Sequence, residues 1–473
     1  MVCGTTSGAG KSFVATALAR WYARAGFKVA PFKAQNMSNN ARVVDGGEIG
    51  SAQYFQALAA GCEPHVRMNP VLLKPESETH SQVIVMGQRN DALAAIDWRE
   101  RGPHLWPTIR ASLDQLLDTN EVVVIEGAGS PAEINLQATD LVNMRVAAHA
   151  AAATLIVSDI DRGGAFAHLF GTFQLLSAEH RALIRGFVLN RFRGDRALLE
   201  PGPRMLETLT GVPTLAVLPL WRGHGLPEED GLFGGEAAPT AAGCAAMRSI
   251  AIVAYPQISN LDEFAPLARV AALRWARDPR ALEDAELVVL PGSKHVAADL
   301  AWLRHSGLDA AIAAHVAAGK RLLAICGGLQ MLGNEILDPH AVEGAAAGLG
   351  LLPMTTEFAA HKRHRRGAYR FAGTSGAWAC LNGVEFEGYE IRHGHTAPLG
   401  EADGAPLTAV LDEHRGWQSG ATLALYVHGL FENPGVMRAL FGRETPTLED
   451  TFERLADFIE SGFGREALLR LIQ

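Results

Sequence analysis

Gly4-Thr5-Thr6-Ser7-Gly8-Ala9-Gly10-Lys11-Ser12 stands between a short apolar start and a helical pattern with Val14, Ala17, Leu18, Trp21 and Tyr22 on one face. A glycine-rich turn that opens a helix cradles phosphates with backbone N–H groups, while a lysine neutralises β/γ charge and a serine can ligate Mg²⁺. Thr5, Thr6, Ser7, Gly8, Ala9, Gly10, Lys11 and Ser12 are therefore the expected nucleotide-binding residues, with Ser12 also a metal ligand. A plain glycine turn before a helix is the alternative, and Gly10-Lys11-Ser12 in this setting weighs against it. Gly4 precedes Gly10 by six positions, so the loop carries one residue more than the standard form. Only Met1, Val2 and Cys3 come before it, although a full strand has about five or six residues. The first strand is expected to be short, or the sequence to begin a few residues late.

Outward from the loop, apolar runs at 29–32, 122–125, 155–157, 187–189 and 214–218 read as buried parallel strands, each followed by a helical pattern. Glu126 ends the second of these and is a Mg²⁺ contact beside the loop, or a cap of the next turn. Asn190 ends the fourth, and its amide either reads an adenine edge or sits in a turn. From 223 to 243 the chain is rich in Gly, Pro, Ala and acidic residues without periodicity, which marks a linker. A second strand series follows at 250–254, 287–290, 322–325 and 423–427. The architecture expected is α/β, two doubly wound parallel-sheet domains: 1–232, a linker at 233–247, 248–440, and a helical tail at 441–473. In that tail Leu448, Phe452, Leu455, Ala456 and Ile459 outline a docking helix.

The composition suits two domains. The chain has 473 residues, 48% of them hydrophobic and 20% charged, with a formal net charge of −9. That balance argues against nucleic-acid and anionic-membrane partners, though not against a polycarboxylate substrate. Five scattered cysteines without a C-x-x-C pair point to reduced thiols and a cytoplasmic protein. Neither a secretory leader nor an apolar run of membrane-spanning length is visible. The basic run His361-Lys362-Arg363-His364-Arg365-Arg366 reads as a solvated loop, with attraction of a polyanion as the alternative.

The second half has its own reactive turn. Leu322-Leu323-Ala324-Ile325 runs into Cys326, which Gly327 and Gly328 follow, the strand–nucleophile–helix pattern in which small neighbours are needed. A lone Cys after a strand is usually a small buried hydrophobe. Three features oppose that here: His428 after its strand as general base, Pro291-Gly292-Ser293 as a source of oxyanion N–H donors, and Gln330 one helical turn beyond Cys326. Gln330 is the candidate holder of a substrate's α-amino-acid end.

With these residues in view, the lengthened loop resembles that of dethiobiotin synthetase and its amidoligase relatives. The second half resembles class I (triad-type) glutamine amidotransferases, and the whole chain resembles the cobyric acid synthase family. The match rests on 4–12, Pro31-Phe32-Lys33-Ala34-Gln35-Asn36-Met37-Ser38, Asn69-Pro70-Val71-Leu72-Leu73-Lys74-Pro75 and the stretch from Glu126-Gly127-Ala128-Gly129 to Asn135. It continues through Asp140-Leu141-Val142-Asn143-Met144, Asp159-Ile160-Asp161-Arg162-Gly163-Gly164, Asn190-Arg191-Phe192-Arg193-Gly194-Asp195, Leu226-Pro227-Glu228-Glu229-Asp230 and Tyr389-Glu390-Ile391-Arg392-His393-Gly394-His395-Thr396.

The resemblance implies glutamine- and ATP-dependent amidation of the b, d, e and g carboxylates of (adenosyl)cobyrinic acid a,c-diamide. Cys326 forms a glutamyl thioester and releases ammonia, which displaces phosphate from an acyl phosphate made in the first domain. Gly292, Ser293, Gly327 and Gln330 are then the oxyanion and glutamine contacts. Lys33, Gln35, Asn36 and Asp140 become substrate contacts, and Glu48, on a predicted helix, joins Ser12 and Glu126 as a Mg²⁺ ligand. ATP and Mg²⁺ are expected, without a tightly bound organic cofactor; glutamine and a corrinoid polycarboxylate are the partners, and a homo-oligomer is compatible. Three residues depart from the pattern. Leu430 stands where amidotransferases carry a Glu two residues past the His, a loss shared in the cobalamin branch, so a Cys–His dyad is expected and Glu432 is not its partner. Ala324 replaces a usual Gly, and Gly8 a common Asp, so one nucleotide-loop contact does not carry over directly. The nearest rival is cobyrinic acid a,c-diamide synthase. A partitioning-type ATPase switch has no use for Cys326 and His428, and a glutaminase-like binding module with a dead synthetase half is opposed by Lys11, Ser12 and Glu126.

Overall fold

The apolar runs pair as parallel strands. The computed structural model describes residues 1–76, 81–226, 249–399, 406–443 and 446–473. In its first half Val2–Gly4, Thr154–Asp159, Ile184–Phe192 and Thr214–Pro219 form one parallel sheet in that order. Val29–Phe32 and Val122–Ile125 form a parallel pair, joined to it by a bridge between Val2 and Glu126. Val, Ile and Leu dominate these strands because helices cover both faces and leave no wet side. The sheet order jumps in sequence, and ligand sites in such sheets lie beyond the carboxyl ends where it does so. The phosphate loop, Glu126 and Asn190 all lie at that edge.

The chain forms two compact units, one of Met1–Ser38, Val44–Leu226 and Thr447–Gln473, the other of Asn39–Val43 and Pro227–Pro446. The tail expected at 441–473 is thus divided. Phe441 closes the helix Pro434–Phe441 of the second unit. The helix Leu448–Phe463 packs in the first unit against Lys11–Arg24, because its apolar stripe of Phe452, Leu455, Ala456 and Ile459 meets that of Val14, Leu18, Trp21 and Tyr22. The linker expected at 233–247 lies outside the described residues, as do Cys244 and the Pro227-Glu228-Glu229-Asp230 part of its motif.

The second unit is built on Ala272–Ala276, Ser249–Val253, Leu287–Leu290, Arg321–Ile325 and Thr422–Leu425, all parallel. Antiparallel Gly416–Ser419 and Thr408–Leu411 extend it at one edge, so this sheet is mixed rather than wholly parallel. The basic run is no loop: it lies in the strand Met354–Arg370, paired antiparallel with Glu385–Pro398. Exposed acidic neighbours pair with it, Glu413 beside Arg363 and Arg365, and Glu387 beside Arg366. The described cysteines Cys3, Cys62, Cys326 and Cys380 are free thiols. Among the described residues no helix is long and apolar enough to cross a membrane.

Candidate active sites

In the first unit the loop is held from below. Gly10 has φ +97, and a Cβ there would lie 2.1 Å from the Asn190 amide nitrogen, which donates to Ala9 O at 3.0 Å. Asn190 therefore props the loop with one of its donors. Lys11 Nζ donates to the carbonyls of Thr6 (3.0 Å) and Gly129 (3.1 Å), folding over the cradle its own loop makes. The Ser12 hydroxyl donates to Glu126 Oε1 at 2.9 Å, and Lys33 Nζ reaches the same oxygen at 2.9 Å; Gln56 donates to the other. Burial penalises the ionised Glu126, yet the Lys33 ammonium and the hydrogen bonds from Lys33, Gln56 and Ser12 prevail and hold the carboxyl below its ordinary range. A serine hydroxyl beside an ionised carboxylate at the end of a phosphate loop is a hard-oxygen pair that fits Mg²⁺, an ion that otherwise keeps water and phosphate oxygens.

The remaining expected residues of this half spread around that point. Asn36 is buried, 3.3 Å from Gln53 Oε1 through its amide nitrogen. Gln35 and Asp140 line a cavity of about 320 Å³ with Trp98, Arg101, Ser130 and Asn143; Gly129, which Lys11 contacts, lines it too. Asp140 accepts from the N–H groups of Val142, Asn143 and Met144, which fixes the turn before the helix Met144–His149. Glu48 lies in the strand Gly47–Gly50 and not in a helix, since Gly46, Gly47 and Gly50 disfavour helical backbone and the helix begins only at Ser51. Its buried carboxylate is paired with Lys74.

In the second unit Arg321–Ile325 ends in Cys326, whose φ of 52° and ψ of −105° make it the strained corner between that strand and the helix Gly327–Leu332. The two glycines are demanded by space: a Cβ on Gly327 would lie 2.6 Å from Ser293 N, and one on Gly328 2.2 Å from Leu290 O. The thiol sits 3.6 Å from Ile391 O, on the strand that carries the Tyr389–Thr396 motif, and hydrogen-bonds with His428. Gly292 abuts the His428 ring. The Ser293 hydroxyl donates to Asp299 at 2.6 Å, and burial raises that carboxyl to about 7. Gln330 is buried against Gly394 and bonded to the Tyr426 hydroxyl, so its amide already has a protein partner.

The dyad expectation is overturned. His428 Nδ1 lies 2.9 Å from Glu263 Oε1, and Glu263 Oε2 accepts from Gly429 N at 2.9 Å. Burial alone would lower the imidazole pKa; the Glu263 carboxylate and Cys326 outweigh it and raise it to about 10. Tyr389 stacks on the ring at 5.3 Å between centroids. The arrangement is a Cys–His–Glu set, in which the carboxylate holds the imidazole as a cation and the imidazole hydrogen-bonds with the thiol. Glu432 instead accepts from Arg42 at 2.6 Å. Nothing near His428 in sequence announces Glu263. Its only local signal is the polar turn Asn260-Leu261-Asp262-Glu263, which reads as a helix start.

A family described as "CobQ/CobB/MinD/ParA nucleotide binding domain" matches residues 1–222, and "CobB/CobQ-like glutamine amidotransferase domain" matches 249–436. Cobyric acid synthase of Leptothrix cholodnii is 59% identical over 100% of this chain and 96% of its own length. That of Methylibium petroleiphilum is 60% identical over the same shares, 100% and 96%. A solved glutamine amidotransferase is 19% identical with a TM-score of 0.31, covering 44% of this chain and 98% of its own. With a nucleotide-binding unit and a glutamine amidotransferase unit in one chain, and that identity along its whole length, the protein belongs to the cobyric acid synthase family of amidoligases.

Proposed function

We propose that the chain uses ATP and glutamine to amidate the b, d, e and g side-chain carboxylates of (adenosyl)cobyrinic acid a,c-diamide, as a cytoplasmic enzyme. The observation that carries the reading is the pairing, in one chain, of the Cys326–His428–Glu263 set with a loop whose Lys11 and Ser12 converge on Glu126 and Gly129. Cys326 attacks the glutamine amide carbon. His428 gives its proton to the leaving ammonia, and a thioester remains that water hydrolyses to glutamate. Backbone N–H groups around Gly292 and Gly327 receive the developing oxyanion, supported by the close approach of these segments to His428 and Ser293.

In the first unit a substrate carboxylate attacks the ATP γ-phosphorus. ADP leaves, and ammonia then displaces phosphate from the acyl phosphate. Lys11 steadies the transferred charge. Ser12 and Glu126 would hold Mg²⁺, with Glu48 available only on exchange of its Lys74 partner; bound there, the ion screens phosphate charge. The cavity lined by Gln35 and Asp140 is too small for a whole corrinoid and suits one carboxylate arm. The test is incubation with ATP, glutamine and cobyrinic acid a,c-diamide. Glutamate, ADP and a product amidated at b, d, e and g are expected. Amidation at a and c of cobyrinic acid instead would assign the chain to the diamide synthases.

A further inference from the structure

The glutaminase set borrows a residue from the first half of the sequence. Residues Asn39–Val43 belong to the second unit, while the chain on either side, Met1–Ser38 and Val44–Leu226, belongs to the first. Within that excursion Arg42 is 1% exposed, and its guanidinium pairs with both Asp262 and Glu432. Asp262 adjoins Glu263. Glu432 closes the turn Leu430–Glu432 that follows His428 and Gly429. Arg42 Nη2 therefore ties together the two turns whose neighbours, Glu263 and His428, must stay 2.9 Å apart. The guanidinium also lies over Tyr389, 4.8 Å from the ring centre, and Tyr389 stacks on His428. Two backbone contacts complete the grip: Ala41 N donates to Asn260 Oδ1 at 3.1 Å, and Leu261 N to Asn40 Oδ1 at 3.0 Å. Asn260 itself stands 3.4 Å from His428 Nδ1.

We propose that Arg42, held by the Asn39–Val43 excursion, is a positioning residue of the glutaminase: it fixes Glu263 against His428 without touching glutamine. The amidotransferase domain matched at 249–436 does not contain it. Burying a guanidinium is costly, and two carboxylates offset it only while the geometry holds. The role has a functional corollary. Lys33, which contacts Glu126, and the Gln35–Met37 strand run directly into this excursion, so the same short stretch of chain serves both halves of the reaction.

The inference rests on the glutaminase reading of Cys326, and the experiment separates the two. In the full chain, Arg42→Lys and Arg42→Ala are compared with wild type for glutamate release and for stoichiometric alkylation of Cys326 by iodoacetamide. Loss of positioning should lower kcat by about tenfold to a hundredfold, the range that misplacing a catalytic group produces. KM for glutamine should change little, and Cys326 should still label completely, only more slowly. Arg42→Lys keeps the charge that the buried carboxylates need, but its ammonium lies one atom short of the Nη2 position and does not bridge both, so it should stay folded and still be slow. Wild-type kcat in both variants would overturn the proposal. So would a labelled fraction that falls in step with kcat, which is the mark of partial unfolding. A wild-type chain that releases no glutamate would sink the underlying reading as well.

Discussion

An imidazole buried like that of His428 ordinarily sheds its proton, because burial penalises the charged form. Glu263 reverses this by meeting Nδ1 at 2.9 Å, and the ring is held as a cation beside Cys326. Removing the carboxylate's charge while keeping its shape should therefore strand the ring in the wrong tautomer, as buried acid partners of catalytic histidines show elsewhere. Glu263→Gln is expected to slow glutamate release by about a hundredfold or more, with ammonia-driven amidation unaffected. Glu432→Gln is expected to do far less to the chemical step, since the amide oxygen still accepts from Arg42 and the side chain does not bond His428. Equal losses for the two variants would show that Glu432 shares the role assigned to Glu263.

At the scale of elements, the phosphate loop depends on a helix from the far end of the chain. Lys11–Arg24 carries Lys11 and Ser12 on its first turn, and its apolar side is covered by Leu448–Phe463. Trp21 Nε1 donates to Glu460 of that helix at 2.8 Å, and the Tyr22 hydroxyl to Leu468 O of the following helix Arg465–Arg470 at 2.7 Å, so the cover is polar as well as apolar. Leu455 is fully buried in this contact, and Leu455→Ala should cost about 2–5 kcal/mol through the lost burial and the cavity left behind. Hydrogen exchange should quicken across Lys11–Arg24 and not across Leu287–Leu290 in the other unit. Exchange unchanged in Lys11–Arg24 would refute the dependence. The ion pairs of Arg24 with Glu453, Asp457 and Glu460 line the exposed rim, where such pairs contribute at most about 1 kcal/mol.

For the whole molecule, two chemistries in two units should be separable. Cys326→Ser is expected to abolish glutamine-dependent amidation and leave activity with high ammonium, because in the proposed mechanism the first unit needs only free ammonia. Lys11→Ala is expected to cost about a hundredfold or more with either nitrogen source, the worth of a charge contact at a transferring phosphoryl group. Rates of amidation with glutamine and with ammonium, compared side by side, check both. Loss of both activities in folded Cys326→Ser, or near-normal ammonium turnover in Lys11→Ala, would contradict the division.

Local features could be read directly from the residues. Val29–Phe32, Val122–Ile125 and Leu287–Leu290 were legible because a strand buried on both faces must be apolar throughout. The phosphate loop and the Cys326 corner were legible because tight backbone turns demand small residues at fixed spacing. The long-range partnerships emerged only on folding. Glu263 meets His428 across 165 positions of sequence, and Arg42 meets Glu432 across 390. Glu48 lies on Lys74 in a strand, and the terminal helix covers Lys11–Arg24. No periodicity or spacing encodes such pairs. A buried charge is satisfied by whichever opposite charge the fold delivers within hydrogen-bond reach, and that choice is made by packing across the whole chain.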